Sequence, residues 1–202
     1  STYAYLDLTV IGVSDASAGV AATGTLTITG PASSQGVVSL WVGKTRVDVA
    51  VSAADTATAI AAAMKTAIDN QPELPVTAAV AAGVLTLTAK NKGTAGNDIR
   101  LRAQTTASGT TTAIVAMASG ATDPDIAPAL ANVVAAGHNI IISPFCTQAT
   151  LTALRTHLDF VSGPMEQRGA VGVAGWPGTL AAGTTLASQI NSGRSEEHTS
   201  EL

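Results

Sequence analysis

Residues Thr25–Thr29 read TLTIT, an alternation of polar and apolar side chains that recurs along the first half of the chain. Runs with the same period follow at Val37–Val42 and at Arg46–Val51. Because successive side chains of a strand point to opposite faces, this period predicts strands that are buried on one face. The pair Gly43-Lys44 supplies turn chemistry and predicts that the second and third strands form a hairpin.

One helix is expected within this β-rich half. Ser52 and Asp55 have the S-x-x-D spacing of a capping box. Apolar residues then recur on one helical face until Pro72 ends the pattern. The residues of that face are Ile60, Met64, Ala67 and Ile68. Further strands are expected at Val84–Thr88, Asp98–Arg102 and Ala113–Met117, which makes this part of the chain an α+β module.

After Gly120, helical patterns alternate with short β-branched runs. The first helix is expected to open at Asp123-Pro124-Asp125 and to close at Gly137. Pro128 indicates that its regular turns begin nearer Asp125. The run 138–144 is typical of a buried parallel strand. A helix from Thr147, a strand at Ala170–Ala174 and a helix at Thr179–Asn191 with Leu180, Leu186 and Ile190 facing inward complete the series. This order favours an α/β domain with a mainly parallel sheet flanked by helices.

Composition excludes several classes of function. The 202 residues include ten Lys and Arg against 14 Asp and Glu, a net charge of −4, and only 3% aromatic residues. Such a chain lacks the basic surface and the stacking rings of a nucleic-acid binder. The single cysteine excludes an internal disulfide and a paired-cysteine zinc site. The most apolar stretch, Pro75–Ala89, alternates in its second half like a strand and does not resemble a membrane span.

The second half contains side chains that could serve a hydrolase, namely Asp125, His138, Ser143 and Cys146. The chain has no G-x-S-x-G nucleophile motif, and Ser143 precedes a proline, where a hydroxyl ordinarily binds the local backbone. His138 and His157 have no partner at metal-ligand spacing, so we expect both at the surface or at its boundary. Cys146 is expected to be a small buried residue.

Two glycine-containing stretches also invite a functional interpretation. Gly169, Gly172, Gly175 and Gly178 recur every three residues but match no phosphate-binding motif, so close helix packing or a loop is the better explanation. Residues Lys90–Asp98 read KNKGTAGND and predict a tightly turned loop between two strands, with ligand binding as the less common alternative. We therefore expect no catalytic, cofactor-binding or metal site, and no enzymatic activity.

Both ends of the sequence have unusual features. Residues 194–202 read RSEEHTSEL and resemble the in-frame translation of a sequencing-library adaptor, so we expect them not to be native. The chain starts at Ser1, without methionine or a signal peptide, and we expect this end to be cut. These observations predict a fragment whose last native residue is Gly193.

The run Ala81–Arg102 resembles the inserted domain of Mu-like contractile phage tail sheath proteins. The resemblance includes Tyr5–Gly12 upstream. Downstream, Gly120–Asp125, Ile142–Phe145 and Gly163–Met165 resemble the subtilisin-like domain of the same family, which is not known for proteolysis. The resemblance implies a connecting segment at 1–18, an inserted module at 19–120 and part of the subtilisin-like domain at 121–193.

The resemblance also implies a function. It implies a structural subunit of a contractile tail that polymerises around a tube and contracts to drive genome ejection. Neighbouring sheath subunits, the tail tube protein, and the baseplate and tail terminator proteins are the implied partners, with no cofactor, nucleic acid or membrane. The implied location is the virion, after assembly in the host cytoplasm, with the inserted module outward and the other domain near the tube.

Two other functions are compatible with parts of the sequence. A surface-displayed adhesion module would explain the Thr/Val alternation but not the second half of the chain. A small α/β hydrolase would explain the second half but requires a nucleophile.

Overall fold

The computed structural model describes residues 8–190, which form a mixed α/β structure with nine strands and four α-helices. They divide into two compact units. One unit comprises residues 15–123, and the other comprises the described residues before 15 and after 123.

The unit 15–123 contains two antiparallel sheets and one α-helix. Its strands are β1 (Ala21–Thr29), β2 (Gly36–Val42), β3 (Thr45–Val51), β4 (Val76–Ala81), β5 (Val84–Lys92), β6 (Leu101–Thr105) and β7 (Thr111–Ala118). One sheet has the order β4-β5-β1-β7 and the other the order β3-β2-β6. Helix α1 spans Ala57–Asp69, and a 3₁₀ helix spans Thr94–Asp98.

Alternating side chains of both sheets and one face of α1 share a single core. Leu26 of β1 lies opposite Leu85 of β5 and Ile114 of β7. Helix α1 contributes Ile60 and Met64 to the same core, which explains why its apolar residues recur at helical spacing. Burial of these side chains is the main driving force for folding of the unit.

Most of the strands expected in this unit are confirmed, with three corrections. The β2–β3 hairpin forms around Gly43-Lys44 as predicted. The helix is capped by Thr56, whose hydroxyl accepts from the Ala59 N–H at 3.2 Å, and not by Ser52. Strand β6 starts at Leu101 and not at Asp98, because the preceding residues form the 3₁₀ helix. Strand β4 was not predicted.

The other unit contains three α-helices and a parallel pair of strands. Its elements are α2 (Ala127–Val133), a 3₁₀ turn (Val134–Ala136), β8 (Ile140–Ser143), α3 (Gln148–Val161), β9 (Val171–Ala174) and α4 (Leu180–Gln189). Strands β8 and β9 are parallel, whereas every other strand pairing between the described strands is antiparallel.

Helix α2 begins at Ala127, close to Asp125, where Pro128 indicates that the regular turns begin. The Ala127 N–H donates to Asp125 Oδ1 at 2.9 Å, so Asp125 occupies the turn before the helix. Asp123 is not part of the helix and binds Thr94 instead. The α-helix ends at Val133, earlier than expected, and a 3₁₀ turn continues to Gly137, which is left-handed with a φ of 71°.

Burial in this unit differs from the sequence-based expectation. Ile140 and Ile142 of β8 are 65% and 73% exposed, so the expected burial of this strand is wrong for these side chains. Leu180, expected to face inward from α4, is 83% exposed. Among residues 8–190, no helix has the length and apolarity needed to cross a membrane.

Candidate interaction surface

One face of the β8–β9 sheet is apolar and exposed. The register places Ile140 opposite Val171, and Ile142 opposite Val173. Since alternate residues share a face, these four side chains form one patch, here called the bare face. Their exposed fractions lie between 47% and 73%. β-Branched apolar residues in a parallel sheet normally pack against a covering layer.

The opposite face of the same two strands is covered by α3. A Cβ on Gly172 would lie 2.8 Å from Leu158 Cδ1 and 2.9 Å from Leu154 Cδ2. The absence of a side chain at this position lets the helix approach closely, as the sequence suggested for this glycine. Ile141 packs against the small cluster formed by Ile126, Leu130 and Leu154. The sheet is therefore packed on one face only within the described residues.

An apolar groove adjoins the bare face. It has a volume of about 460 Å³ and is lined by residues 8–11, by α2 and by the whole of β8. Leu8 and Val10 in its wall are 73% and 82% exposed. A second groove of about 520 Å³ lies between α3, β9 and α4, with Trp176 and Cys146 in its lining. Both grooves extend the exposed apolar surface of this unit.

The structure brings together two of the four hydrolase candidates, but not in a catalytic arrangement. His138 and Ser143 line the first groove. The Ser143 hydroxyl donates to the Phe145 carbonyl at 3.1 Å and accepts from the Phe145 N–H at 3.2 Å, which is the local backbone role expected of it. The buried His138 Nε2 has no hydrogen-bond partner within the described chain. Cys146 is half-buried and lines the second groove, and Asp125 binds the Ala127 N–H.

No group of three or more His, Cys, Asp or Glu side chains within residues 8–190 is placed to hold a metal ion. His157 lies on α3 and is half-buried. Burial, reinforced by the positive charge of Arg168, lowers the pKa of His157 below its ordinary value of 6.5.

The lowered pKa of His157 predicts a small dependence of stability on pH. At a pH between the His157 pKa values of the folded and unfolded chains, the unfolded chain binds the proton more readily. The contribution of His157 to stability is therefore fully present above the unfolded pKa and is lost as the pH decreases. Urea unfolding at several pH values, followed by Trp176 fluorescence in a Trp41→Phe background, should show this fall. A His157→Gln variant should show a flatter profile. An unchanged profile would contradict the attribution to His157.

The segment KNKGTAGND, predicted to be a loop, instead forms the end of β5 and the 3₁₀ helix Thr94–Asp98, and it contacts the segments by which the chain enters and leaves the unit 15–123. Thr94 donates from its N–H to Asp123 Oδ1 at 2.6 Å and from its hydroxyl to Asp123 Oδ2 at 2.8 Å. Asn97 donates from Nδ2 to the Gly120 carbonyl at 3.0 Å, and its Oδ1 accepts from the Gly120 N–H at 2.8 Å. The incoming and outgoing segments also meet directly, since Val20 bridges to Ala121. We call this set of contacts the clasp, and it gives the segment a structural role.

Glycine is required inside the clasp for steric reasons. A Cβ on Gly120 would lie 2.4 Å from the Gly93 carbonyl oxygen, and a Cβ on Gly93 would lie 2.6 Å from Asp123 Oδ1. Gly93 also has a φ of 114°, in the region that favours glycine. The sequence indicated a tight turn in this segment, but it did not indicate the 3₁₀ helix or that its partners are Gly120 and Asp123.

Comparison with family models gives no match. Comparison with curated proteins gives 35% identity over 191 residues to the Mu-like prophage FluMu tail sheath protein of Haemophilus influenzae, over 92% of this chain. This chain is therefore similar in sequence to part of a Mu-like tail sheath protein. It spans 39% of the length of the Haemophilus protein.

Two solved structures of the flagellar cap protein FliD from Escherichia coli show a weak likeness to this chain. One has 18% identity and a TM-score of 0.22, and covers 51% of this chain and 70% of its own. The other has 15% identity and a TM-score of 0.29, and covers 75% of this chain and 57% of its own. These TM-scores are too low to support an argument about fold or function.

Proposed function

We propose that this chain is part of the structural subunit of a contractile tail sheath of a phage or a phage-derived particle. The subunit polymerises around a tail tube and contracts to drive genome ejection. The observation that carries the proposal is the 35% identity to a tail sheath protein over 92% of this chain. The proposed role is structural and not enzymatic, in keeping with the engagement of the Ser143 hydroxyl by its neighbouring backbone.

We propose the domain organisation 1–18, 19–120 and 121–193 for a connecting segment, an inserted module and part of a subtilisin-like sheath domain. Residues 194–202, proposed to be adaptor-derived, lie outside the described residues. The parallel β8–β9 pair is proposed to belong to a larger, mainly parallel sheet. Two observations support this: the sheet is covered on one face only, and the sheath relative is much longer than this chain.

The proposed mechanism is a switch of every subunit between two packings. Sheath subunits contact one another through different patches on each neighbour, and such contacts generate open helical filaments. A modest free-energy difference per subunit then sums over the lattice into mechanical work. The proposed partners are neighbouring sheath subunits, the tail tube protein, and the baseplate and terminator proteins, and the proposed location is the virion.

The bare face provides a test of the proposed assembly. Ile142→Asp places a charge on a side chain that is 73% exposed, so we expect the fold of the 202-residue chain to be retained. In the complete sheath reading frame the proposed larger domain covers the bare face, so the same change should disrupt folding of that domain and thereby abolish assembly, because a charge buried without a partner is costly. Sedimentation should find the wild-type protein in the polymer pellet and the variant in the supernatant.

Val115→Asp is the matched control, since Val115 is a β-branched residue of β7 that is 62% exposed. This variant should sediment like the wild type. Failure of the wild type to sediment, with or without the tail tube protein, would argue against the proposed function. Pelleting of the Ile142→Asp variant would argue against the role of the bare face but not against the proposed function.

A further inference from the structure

The exposed face of the β3-β2-β6 sheet contains a row of three large side chains. Trp41 of β2 lies opposite Arg46 of β3 and opposite Arg102 of β6. Directly opposed residues of neighbouring strands share a face, so the three side chains stand side by side. Both guanidinium groups lie over the indole ring, with Arg46 Cζ 5.2 Å and Arg102 Cζ 5.3 Å from its centroid. These distances are typical of cation–π contacts.

Two further cations lie at the same end of this sheet. Lys44 is in the β2–β3 turn, and the Arg100 carbonyl accepts from the Gly43 N–H at 2.8 Å. Residues 15–123 contain seven basic and seven acidic residues, and four of the seven basic ones are collected here. The basic residues of this set, here called the arginine face, are Lys44, Arg46, Arg100 and Arg102.

Little negative charge balances the arginine face. Asp48 forms an ion pair with Arg46 at 2.7 Å. Lys44, Arg100 and Arg102 form no ion pair among the described residues, although Asp98 is close to Arg100 in sequence. The face therefore carries an excess of positive charge, although the basic and acidic residues of the unit balance as a whole.

We propose that the arginine face binds an acidic segment of another protein through its carboxylates. A guanidinium held over an aromatic ring keeps its N–H groups in a fixed plane, and that planar arrangement fits a carboxylate with two parallel hydrogen bonds. Trp41 adds apolar contact area beside the charges. Tryptophan and arginine are the residues that most often dominate the binding energy of protein interfaces.

A nucleic acid fits this surface less well. Binding to a phosphate backbone requires many basic contacts, whereas one of the four cations is already neutralised by Asp48. Trp41 is the only aromatic side chain of the described residues 15–123, so the unit has no series of rings for stacking bases. This inference goes beyond the proposed function and does not depend on it.

The test is a fluorescence titration of the 202-residue chain with a hexaglutamate peptide at low salt. A Trp176→Phe background leaves Trp41 as the sole tryptophan. We expect a saturable change in Trp41 emission that weakens as salt is added. Arg102→Gln should weaken binding by about tenfold, because it removes one charge-assisted contact. Arg102→Lys keeps the positive charge but lacks the parallel N–H donors of the guanidinium, so its affinity should lie between those of the parent and of Arg102→Gln.

Lys65→Gln is the matched control, because Lys65 is an exposed cation of α1 outside the arginine face, and it should bind like the parent. An unchanged thermal unfolding temperature will show that each variant is folded. If Arg102→Gln is not folded, Arg100→Gln provides a second test. The absence of saturable binding would overturn the proposal. Equal binding by the parent, Arg102→Gln and Arg100→Gln would overturn it as well. Tighter binding of a hexathymidylate oligonucleotide would also overturn it, in favour of a phosphate ligand.

Discussion

Replacing Leu26 with alanine is expected to lower the free energy of unfolding of the unit 15–123 by about 3 kcal/mol. Leu26 is completely buried in the middle of β1, the strand that pairs with both β5 and β7. It lies opposite Leu85 and Ile114. Since β1 is hydrogen-bonded to a strand on each side, the backbone cannot readily move to fill the cavity that the lost side chain leaves. The loss therefore combines the transfer energy of the removed atoms with the cost of that cavity.

The measurement is urea unfolding followed by Trp41 fluorescence in a Trp176→Phe background, which reports on the unit 15–123. Val115→Ala is the matched control, because it truncates an apolar side chain of β7 in the same unit that is 62% exposed. The control should change stability by less than about 0.5 kcal/mol. Equal effects of the two variants would show that β1 does not lie at the centre of the core.

Replacing Asp123 with alanine is expected to lower the stability of the same unit by about 2 kcal/mol. The Asp123 carboxylate accepts from both the N–H and the hydroxyl of Thr94, and these bonds join the 3₁₀ helix to the end of the unit. Without the carboxylate, the half-buried Thr94 N–H loses its acceptor. An unpaired donor of this kind lowers the free energy of unfolding by more than the hydrogen bond had contributed to it.

Asp98→Ala is the control for this second prediction, because Asp98 is an exposed carboxylate at the end of the same 3₁₀ helix. Hydrogen exchange at the Thr94 amide gives a local readout, and its protection should be lost in the Asp123→Ala variant and kept in the control. Retained protection at Thr94 in the Asp123→Ala variant would contradict the clasp as described.

The local pattern of the sequence was sufficient for most strands of the unit 15–123. Alternation in β1, β2 and β3 is a property of neighbouring residues, so it can be read without knowing the fold. Strand β4 was missed because its sequence, VTAAVA, is rich in alanine and merges with β5 into one apolar run. The helix cap was misplaced because Ser52 and Thr56 are both suitable cap residues, and only the path of the chain selects between them.

Contacts between distant residues were beyond the reach of the same reasoning. The clasp joins Thr94 to Asp123 across 29 positions, and no periodicity encodes that distance. The burial of Ile140 and Ile142 was wrongly predicted because a β-branched run indicates an apolar environment without showing which part of the protein supplies it. The exposed bare face is thus consistent with the sequence pattern and with a covering layer outside the described residues.

Electron microscopy of the complete sheath reading frame, expressed without other tail proteins and then with the tail tube protein, tests the proposed role most directly. We expect regular hollow tubes with helical order. Monodisperse globular particles under both conditions would contradict the assignment of this chain to a tail sheath subunit.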